Sequence, residues 1–388
     1  MLRALLLILE LALLALIAYN LAVALFGWKN PTPARPSAES SRFVIVIPAH
    51  NEERVIARPV NDLTEQLRPG DQLWVLADRC TDATAAVART NGAKVAERPT
   101  GPDGKGVALG WFLSEHPLAP DQALVVVDAD NHLPAQLLER FAAELAAGYA
   151  VLQAFLDVTN PDQSPVATAS ALSYWASNRM VQLARTNLGW PADLGGSGMC
   201  ITATALQAAG GFGNSLVEDQ DLGIRCFLAG YPVRWLHDVR IGDEKPSTAA
   251  VAMRQRSRWI SGRRTLARRW LPKLLARGQP AAFDLALRLV QPSRIGVAML
   301  SALVAVASAL GAPLLPWPLW AAVAFGQLVI PIPFLLRDGV PVRYLGSYPL
   351  LVLLPVLKLA GRFRRNRGWY HTPHGLGDLG SDRSGPAE

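Results

Sequence analysis

The sequence predicts an α/β domain, built on a mostly parallel sheet, that lies between apolar segments long enough to span a membrane. Hydrophobic residues make up 51% of the 388 residues and charged residues only 18%. An average soluble chain has about 25% charged residues, so apolar sequence must be concentrated in particular segments. Between those segments, short apolar strands alternate with helix-length stretches, which is typical of a parallel sheet covered on both faces.

The N-terminal apolar segment covers residues 4–27 and exceeds the ~20 residues that a helix needs to cross a bilayer. Lys29 and Arg35 follow it, which places the next segment in the cytoplasm by the positive-inside rule. A cleaved signal peptide is the alternative, because residues 22–24 resemble a cleavage site. The apolar run is longer than the usual ~7 to 15 residues of such signals, which favours a membrane helix over residues 1–28.

Two further apolar segments, residues 295–315 and 317–336, contain no charged residue and predict a helical hairpin through the bilayer. Arg288 before the pair and Arg343 after it place both ends on the cytoplasmic side. Residues 348–359 form a third, shorter segment. An interfacial helix is favoured over a span there, because a span would place the arginines and lysine around it outside the cell.

Residues 249–278 contain no Asp or Glu, and their arginines alternate with tryptophan and leucine. A basic segment of this kind beside a membrane hairpin predicts a helix in the head-group plane. Binding of nucleic acid would explain the arginines but not the adjacent apolar segments. The three cysteines form no CxxC pair, and no dinucleotide-binding or P-loop string is present.

The strands of the central domain are predicted at residues 43–47, 72–77, 93–96, 123–127 and 150–156. Carboxylates follow three of them: Glu52, Asp78, and the pair Asp128 and Asp130. Because the carboxyl ends of parallel strands meet at one edge of a sheet, we expect these groups to converge there. Two carboxylates separated by one residue can share a divalent cation, although such pairs are also common in turns. Lys105, between two glycines, would add a cation at the same edge.

Glu218 and Asp219 precede a helix predicted over residues 221–229. A carboxylate at a helix N-terminus is favoured by the helix dipole alone, whereas Asp219 could also serve as a general base towards a hydroxyl group. The spacing leaves both interpretations open. Residues 195–198, Gly-Gly-Ser-Gly, could equally be a ligand-approaching loop or a plain connector.

Taken in order, these strings resemble the membrane-integrated family 2 glycosyltransferases, the relatives of cellulose, hyaluronan and chitin synthases, including bacterial exopolysaccharide and glycolipid enzymes. The resemblance covers residues 43–259, and its most specific motif is Gln255-x-x-Arg258-Trp259. The string at residues 369–373 also resembles a cytoplasmic motif of many bacterial members. The resemblance implies a GT-A fold, which is Rossmann-like, in a cytoplasmic domain. It also implies a nucleotide-sugar donor, with a UDP-sugar favoured, and inversion at the anomeric carbon.

The resemblance also implies roles for individual residues. Those implied in donor binding are Ala49, Glu52, Asp78, Lys105 and Asp128. The implied ligands of Mg²⁺ or Mn²⁺ are Asp128 and Asp130. The implied catalytic pair is Glu218 and Asp219, with Asp219 as the base. The residues implied in holding the pyrophosphate and the acceptor are Gln255, Arg258 and Trp259.

The sequence departs from the family pattern in two places. Val217 replaces the usual Thr before the Glu-Asp pair, and residues 78–82 read Asp-Arg-Cys-Thr-Asp in place of Asp-Asp-Gly-Ser. The chain also has fewer membrane segments than a cellulose synthase, so single transfer to a lipid is a rival to polysaccharide synthesis. Outside this class, a sugar-nucleotide nucleotidyltransferase or a non-catalytic membrane scaffold remains possible in principle.

The predicted organisation follows from these segments. It comprises a membrane helix (1–28), a linker (29–41), the glycosyltransferase domain (42–248), basic interfacial helices (249–294), a membrane hairpin with an interfacial or third membrane helix (295–366), and a cytoplasmic tail (367–388). The expected location is the inner (plasma) membrane, crossed several times. The expected partners are a nucleotide-sugar donor, a lipid or glycan acceptor and membrane lipids, without nucleic acid; an export partner is left open.

Overall fold

The computed structural model describes residues 1–35, 41–312, 314–348 and 350. Seven strands form one sheet: β1 (Arg42–Ala49), β2 (Gln72–Asp78), β3 (Lys94–Arg98), β4 (Gln122–Val126), β5 (Val151–Val158), β6 (Met199–Thr202) and β7 (Val233–Asp243). The helices of the N-terminal half are α1 (Leu2–Leu25), α2 (Ala57–Thr64), α3 (Thr84–Thr90), α4 (Lys105–Glu115), α5 (Leu137–Ala146), α6 (Pro165–Ser177) and α7 (Ala184–Asn187). The remaining helices are α8 (Ala203–Ala208), α9 (Glu218–Leu228), α10 (Ala249–Leu275), α11 (Pro280–Val290), α12 (Arg294–Ala309), α13 (Trp317–Val329) and α14 (Pro331–Arg337).

The strand order across the sheet is β3-β2-β1-β4-β6-β5-β7. Every neighbouring pair is parallel except those made by β6, which runs antiparallel to both β4 and β5. The prediction of a mostly parallel α/β sheet is therefore confirmed. The prediction omitted β6 and β7. β6 is only four residues long, and β7 alternates apolar with charged residues, so neither has the continuous apolar run of a central strand.

Both faces of the sheet are buried, as a parallel sheet requires. Successive side chains of a strand point to opposite faces, and β1 shows the consequence. Phe43 and Ile45 pack into one hydrophobic core, whereas Val44 and Val46 pack into the other. This is why the strand is a continuous apolar run rather than an alternating one.

Two helices within the described residues are long and apolar enough to cross a membrane: residues 3–28, and residues 317–337, which combine α13 and α14. The predicted span over residues 295–315 is seen as α12, which has only 16 residues. It reaches spanning length only together with α11, from which it is bent by 67°. Apart from Tyr348 and residue 350, the third predicted segment lies outside the described residues, as do the string at residues 369–373 and the tail.

The buried carboxylate of Glu10 joins α1 to the hairpin of α12 and α13. It accepts hydrogen bonds from Trp320 Nε1 at 2.8 Å and from the backbone N–H of Leu315 at 3.0 Å. Both donors lie in apolar surroundings and need an acceptor there. The only acidic residue of α1 thus has a structural partner.

The guanidinium group of Arg179 ties together segments that are far apart in the sequence. It donates to the carbonyl oxygen of Gly27 at 2.8 Å, to Asn30 Oδ1 at 2.7 Å and to Asp338 Oδ1 at 2.5 Å. His237 on β7 also contacts Asp338, at 2.9 Å. The ends of both membrane-spanning candidates are therefore fixed to the sheet through one buried side chain.

Candidate functional site

One cavity of about 1110 Å³ lies at the carboxyl ends of β1, β2 and β4. Its wall contains these residues expected from the sequence: Ala49, Glu52, Asp78, Lys105, Asp128, Glu218, Asp219, Arg258 and Trp259. Asp130 and Gln255 do not line it. Except for Asp130, the carboxylates at the strand ends therefore meet at one cavity, as predicted. Residues more than 100 positions after Asp78, among them Glu218 and Asp219, also line it.

The backbone of Asp128 is held by two buried polar side chains. Its N–H lies 2.9 Å from Ser197 Oγ and 3.1 Å from Asn131 Oδ1. Ser197 and Asn131 also contact each other. The loop that follows β4 is therefore tied to the Gly-Gly-Ser-Gly loop, and Gly195 and Gly196 of that loop line the cavity.

Lys105 occupies the position where α4 begins and points at the centre of these carboxylates. Its ammonium group forms an ion pair with Asp128 and donates to the carbonyl oxygen of Gly196 at 2.6 Å. Burial alone would lower the pKa of Lys105. The nearby charges of Asp128 and Glu218 outweigh burial and raise that pKa, so the side chain stays cationic.

Glu218 and Asp219 form the first turn of α9, three residues earlier than the helix start predicted from the sequence. Burial, more than any other factor, raises the pKa of both side chains. For Asp219 the negative charge of Glu218 adds to this, and the pKa rises to about 7 although Lys105 and Arg258 act in the opposite direction. A carboxylate with a pKa near neutrality can accept a proton efficiently at physiological pH.

Two glycines allow the backbone to approach Glu218 and Asp219 closely. A Cβ on Gly106 would lie 2.8 Å from Glu218 Cβ and would also clash with the carbonyl oxygen of Gly213. Gly196 has φ +82° and lies so close to Asp219 that an added Cβ would be 3.2 Å from Oδ2. The positive φ favours glycine, and its lack of a side chain lets the loop approach the carboxylate.

Asp78 ends β2 and is already paired with cations. Its Oδ1 accepts from Arg98 Nε at 2.7 Å, and its Oδ2 lies 3.1 Å from Arg79 Nη2. Arg79 has φ 53° and Asn51, in the loop after β1, has φ 57°. Left-handed conformations of such residues are uncommon and concentrate at ligand sites, and these two flank the same side of the cavity.

Helix α10 contributes Arg258 and Trp259 to the cavity wall, but Gln255 does not reach it. The Trp259 ring lies 6.5 Å from the ring of Tyr174, centroid to centroid. Arg258 lowers the pKa of Asp219 and so lies within electrostatic range of the acidic pair. Two of the three residues of the motif therefore reach the site.

Asp130 does not line the cavity, and its Oδ1 accepts a hydrogen bond from Asn131 Nδ2 at 3.4 Å. In the described part of the chain, no three His, Cys, Asp or Glu side chains are grouped closely enough to hold a metal ion by themselves. Asp128 is the acidic residue of the pair that faces the cavity. The protein alone therefore offers oxygen ligands for only an incomplete coordination sphere.

Sequence reasoning missed the groups that position this site. Gln153 is fully buried on β5, where it donates to the carbonyl oxygen of Ser197 at 2.7 Å and accepts from the N–H of Gly195 at 2.8 Å. A signal was present, because Gln153 is a single polar residue within an apolar strand, and buried polar groups need partners. Arg98 on β3 and Asn131 offered no comparable signal.

The cavity continues from the sheet edge to the apolar helices. Leu16 and Ile17 of α1, Leu289 of α11, and Ile295 and Val297 of α12 all line it. A volume above 1000 Å³ exceeds the usual range for one drug-sized ligand. There is room for a polar ligand at the sheet and for part of an apolar one between the helices.

A mostly parallel α/β sheet with a polar cavity at the carboxyl ends of its strands places the protein in the class of open α/β folds, which bind ligands in the crevice at this edge. Comparison with known proteins gives the particular family. A family model described as "Glycosyl transferase family group 2" matches residues 123–330, and the chain belongs to this family.

Curated relatives cover part of the chain. A beta-monoglucosyldiacylglycerol synthase of Synechocystis sp. is 28% identical over 236 residues, which are 56% of this chain and 47% of that protein. A probable glycosyltransferase of Bacillus subtilis, YdaM, is 25% identical over 245 residues, 58% of this chain and 56% of its own. The chain thus spans about half the length of the curated relatives it matches.

Among solved structures, the mannosyltransferase PcManGT from Pyrobaculum calidifontis, determined with GDP-Man and Mn²⁺, superposes with a TM-score of 0.59 at 20% identity. The match covers 89% of this chain and 99% of that one. The GT-A fold expected from the sequence is therefore confirmed.

Proposed function

We propose that the protein is an inverting glycosyltransferase that moves a sugar from a nucleotide-sugar donor to a membrane-associated acceptor. The observation that carries the proposal is the single cavity that joins the charged sheet edge to the apolar helices. An enzyme that joins a water-soluble donor to a membrane acceptor needs both environments within reach of one reacting centre.

The donor occupies the sheet edge in this proposal. The nucleoside lies against Ala49 and Glu52 near Asp78, and the diphosphate lies towards Lys105 and Asp128. Asp78 is already ion-paired with Arg79 and Arg98. It would therefore contact the nucleoside without breaking these ion pairs. A UDP-sugar is the favoured donor, on the resemblance alone.

Mg²⁺ or Mn²⁺ fits this edge as an ion shared with the donor. Asp128 offers a carboxylate, Asp130 is two residues away, and Mg²⁺ is commonly bound by one or two carboxylates together with substrate phosphates and water. The incomplete protein coordination is consistent with that arrangement, and the solved relative was determined with Mn²⁺. When bound, the ion would neutralise negative charge that develops on the leaving diphosphate.

The transfer step follows from the placement of the charged groups. The acceptor hydroxyl oxygen forms a bond to the anomeric carbon as the bond from that carbon to the diphosphate oxygen breaks. The diphosphate leaves with the electron pair, and Lys105 and Arg258 stabilise its charge. Asp219 takes the hydroxyl proton, and Glu218 keeps the pKa of Asp219 high enough for this role.

The acceptor is expected among the apolar helices. Transfer of a single sugar to a lipid is the preferred alternative, because the curated relatives include proteins named monoglucosyldiacylglycerol synthases. Polysaccharide synthesis is the second alternative, and Trp259 beside the cavity could then support a glycan end. The proposed location is the inner (plasma) membrane, with several crossings and with the sheet on the cytoplasmic side, where nucleotide sugars are available.

Two other classes make different predictions. A sugar-nucleotide nucleotidyltransferase would consume a sugar phosphate and would have no use for a cavity wall of membrane helices. A non-catalytic scaffold would not depend on the charge of Asp219. Neither class accounts for a buried carboxylate whose pKa is raised to about 7 in the wall of a cavity that reaches the apolar helices.

The test is release of nucleoside diphosphate by the full-length protein in lipid nanodiscs, across UDP-, GDP- and dTDP-sugars with Mg²⁺ or Mn²⁺. We expect release from one donor class, dependent on metal and lowered by about 10²- to 10⁴-fold in Asp219→Asn, the usual contribution of a general base. Asp121→Asn is the matched control, because Asp121 is a surface residue whose side chain pairs with Arg42, away from the cavity. Equal activity of the two variants would remove Asp219 from the mechanism.

A further inference from the structure

Several buried arginines of this protein have a carboxylate partner, whereas two partly buried arginines of the cavity wall do not. This difference indicates a ligand for the second group. Buried arginines are paired: Arg98 with Asp78 at 2.7 Å, and Arg185 with Asp284 at 2.9 Å. Buried guanidinium groups are normally paired in this way, because an uncompensated charge is costly to bury.

Arg256 on α10 and Arg294 at the start of α12 are exceptions. Both are partly buried and both line the cavity. Within residues 1–35, 41–312, 314–348 and 350, neither forms a hydrogen bond or an ion pair with another side chain. Burial lowers the pKa of Arg256, with only Tyr174 nearby to oppose it. Arg256 and Arg294 are therefore partly buried in the cavity wall without a counter-charge from the described residues.

Apolar side chains of α1 and α12 line the same cavity as these two arginines, which suits a lipid better than a nucleotide. Ile295 and Val297 follow Arg294 along α12 and line the same cavity, as does Ile17 of α1. Polar groups are also present among them: Asn20 donates to Gln291 at 3.0 Å, and both line the cavity. Polar side chains on helices of membrane-spanning character usually face an interior pathway and mark a functional site.

We propose that this part of the cavity binds an anionic membrane lipid, with its chains against α1 and α12 and its phosphate group at Arg256 and Arg294. The inference rests on the proposed function and specifies its acceptor: a phospholipid with a free hydroxyl group and not a neutral glycerolipid. Arginine suits this task because its planar fork matches phosphate oxygens and forms charge-assisted hydrogen bonds. The donor diphosphate has separate cations, Lys105 and Arg258, at the sheet edge.

The experiment compares acceptors that differ by the phosphate. Full-length protein is given the donor identified above with dioleoylglycerol or with dioleoyl phosphatidylglycerol, which has the same chains and free hydroxyls. We expect glycosylated product, detected by mass spectrometry, from phosphatidylglycerol, at a KM lower than that for dioleoylglycerol by about 10-fold or more, as one or two charged hydrogen bonds imply. The product should be an acid-stable glycoside, because the acceptor atom is a hydroxyl oxygen of the lipid and not its phosphate.

The variants test the two arginines. We expect Arg294→Gln and Arg256→Gln each to raise the KM for the anionic lipid by about 10-fold, with the KM for the donor unchanged. Arg294→Lys keeps the charge and should give an intermediate KM. Arg268→Gln is the matched control, because Arg268 is exposed on α10 and does not line the cavity. Native mass spectrometry of the wild type provides a readout without turnover: anionic lipid should remain bound where dioleoylglycerol is lost.

The outcomes separate this inference from the proposed function. If dioleoylglycerol is the better acceptor, or if the arginine variants leave the KM for the lipid unchanged, the anionic subsite is wrong while sugar transfer stands. If only a glycan accepts the sugar, with release still dependent on Asp219, the lipid is wrong and the transferase remains. If no donor is used with any acceptor, both proposals fall.

Discussion

The side chain of Asp219 is enclosed by charges of both signs, and this sets the pH at which it can accept a proton. Burial and the neighbouring Glu218 raise its pKa to about 7, whereas Lys105 and Arg258 limit the rise. Because a base must be deprotonated to act, activity should be lost as the pH falls below that value. We expect kcat/KM to decrease about tenfold per pH unit on the acidic side, with the midpoint near 7.

The Glu218→Gln variant changes this profile in a defined direction. Removing the negative charge beside Asp219 favours its ionised form, so the pKa of Asp219 falls. The acidic limb of the pH profile, where activity is lost as the pH decreases, then moves to lower pH. Arg258→Gln removes a positive charge that lowers the pKa of Asp219, so it should move the acidic limb to higher pH. The profiles are measured as kcat/KM for the donor between pH 5 and 9, with Asp121→Asn as control. An unchanged midpoint in both variants would show that another group controls the acidic limb.

At this scale, the sequence predicted which residues meet at the cavity better than it predicted the partners of each residue. Asp128, Lys105 and Asp219 could be proposed because each follows a strand or begins a helix, and the structure brings all three to one cavity. The pairing of Asp78 with Arg98 could not be anticipated, because the two residues lie on adjacent strands whose register was unknown. The inward-facing position of Arg256 depends on how α10 is rotated about its axis.

At the level of helices, the contact of Glu10 with the hairpin is the element most open to test. Glu10→Ala would leave Trp320 Nε1 and the N–H of Leu315 without an acceptor, and each unsatisfied buried donor costs about 1–3 kcal/mol. We expect a lower unfolding temperature in detergent, measured by tryptophan fluorescence, with a smaller decrease for Glu10→Gln. Leu9→Ala removes an exposed side chain from the same helix and should have little effect. A decrease of the same size in Leu9→Ala would argue that the contact adds no stability.

Helix existence was easier to predict than helix extent. The run at residues 4–27 is long and uniformly apolar, and α1 covers it. Residues 295–315 met the same length criterion, yet α12 ends at Ala309 and a turn follows, stabilised in part by Glu10 accepting from Leu315. The length of an apolar segment does not reveal that a carboxylate far away in the sequence will accept a hydrogen bond from the turn after the helix.

For the whole molecule, the proposed orientation places the start of α1 outside the cell and α10 inside. We introduce single cysteines at two exposed positions, Arg3→Cys, just before the apolar segment, and Ser261→Cys, in a Cys80→Ser background, since the other two native cysteines are buried. A membrane-impermeant maleimide should label the first in intact cells and the second only after permeabilisation.

The same experiment tests the signal-peptide alternative. Labelling at Arg3→Cys requires that residues 1–28 stay attached to the mature protein, which the intact mass of the purified protein also measures. Labelling of Ser261→Cys in intact cells would place the sheet outside, where the proposed donor is absent. That result would contradict the cytoplasmic assignment directly.

The hydrogen bonds of Arg179, which join the ends of the two membrane-spanning candidates, also constrain the order in which contacts form during synthesis. Arg337 donates to the carbonyl oxygen of Trp28 at 2.5 Å, and Asp338 meets the guanidinium that holds Gly27 and Asn30. A ribosome that adds 5–20 residues per second needs roughly 15 to 60 s to travel between these partners. Throughout that interval Gly27 and Trp28 are already synthesised, but Arg337 and Asp338 are not. The contacts that join α1 to the end of α14 can therefore form only after most of the chain has left the ribosome, so the join between the two ends of the fold is among the last to be completed.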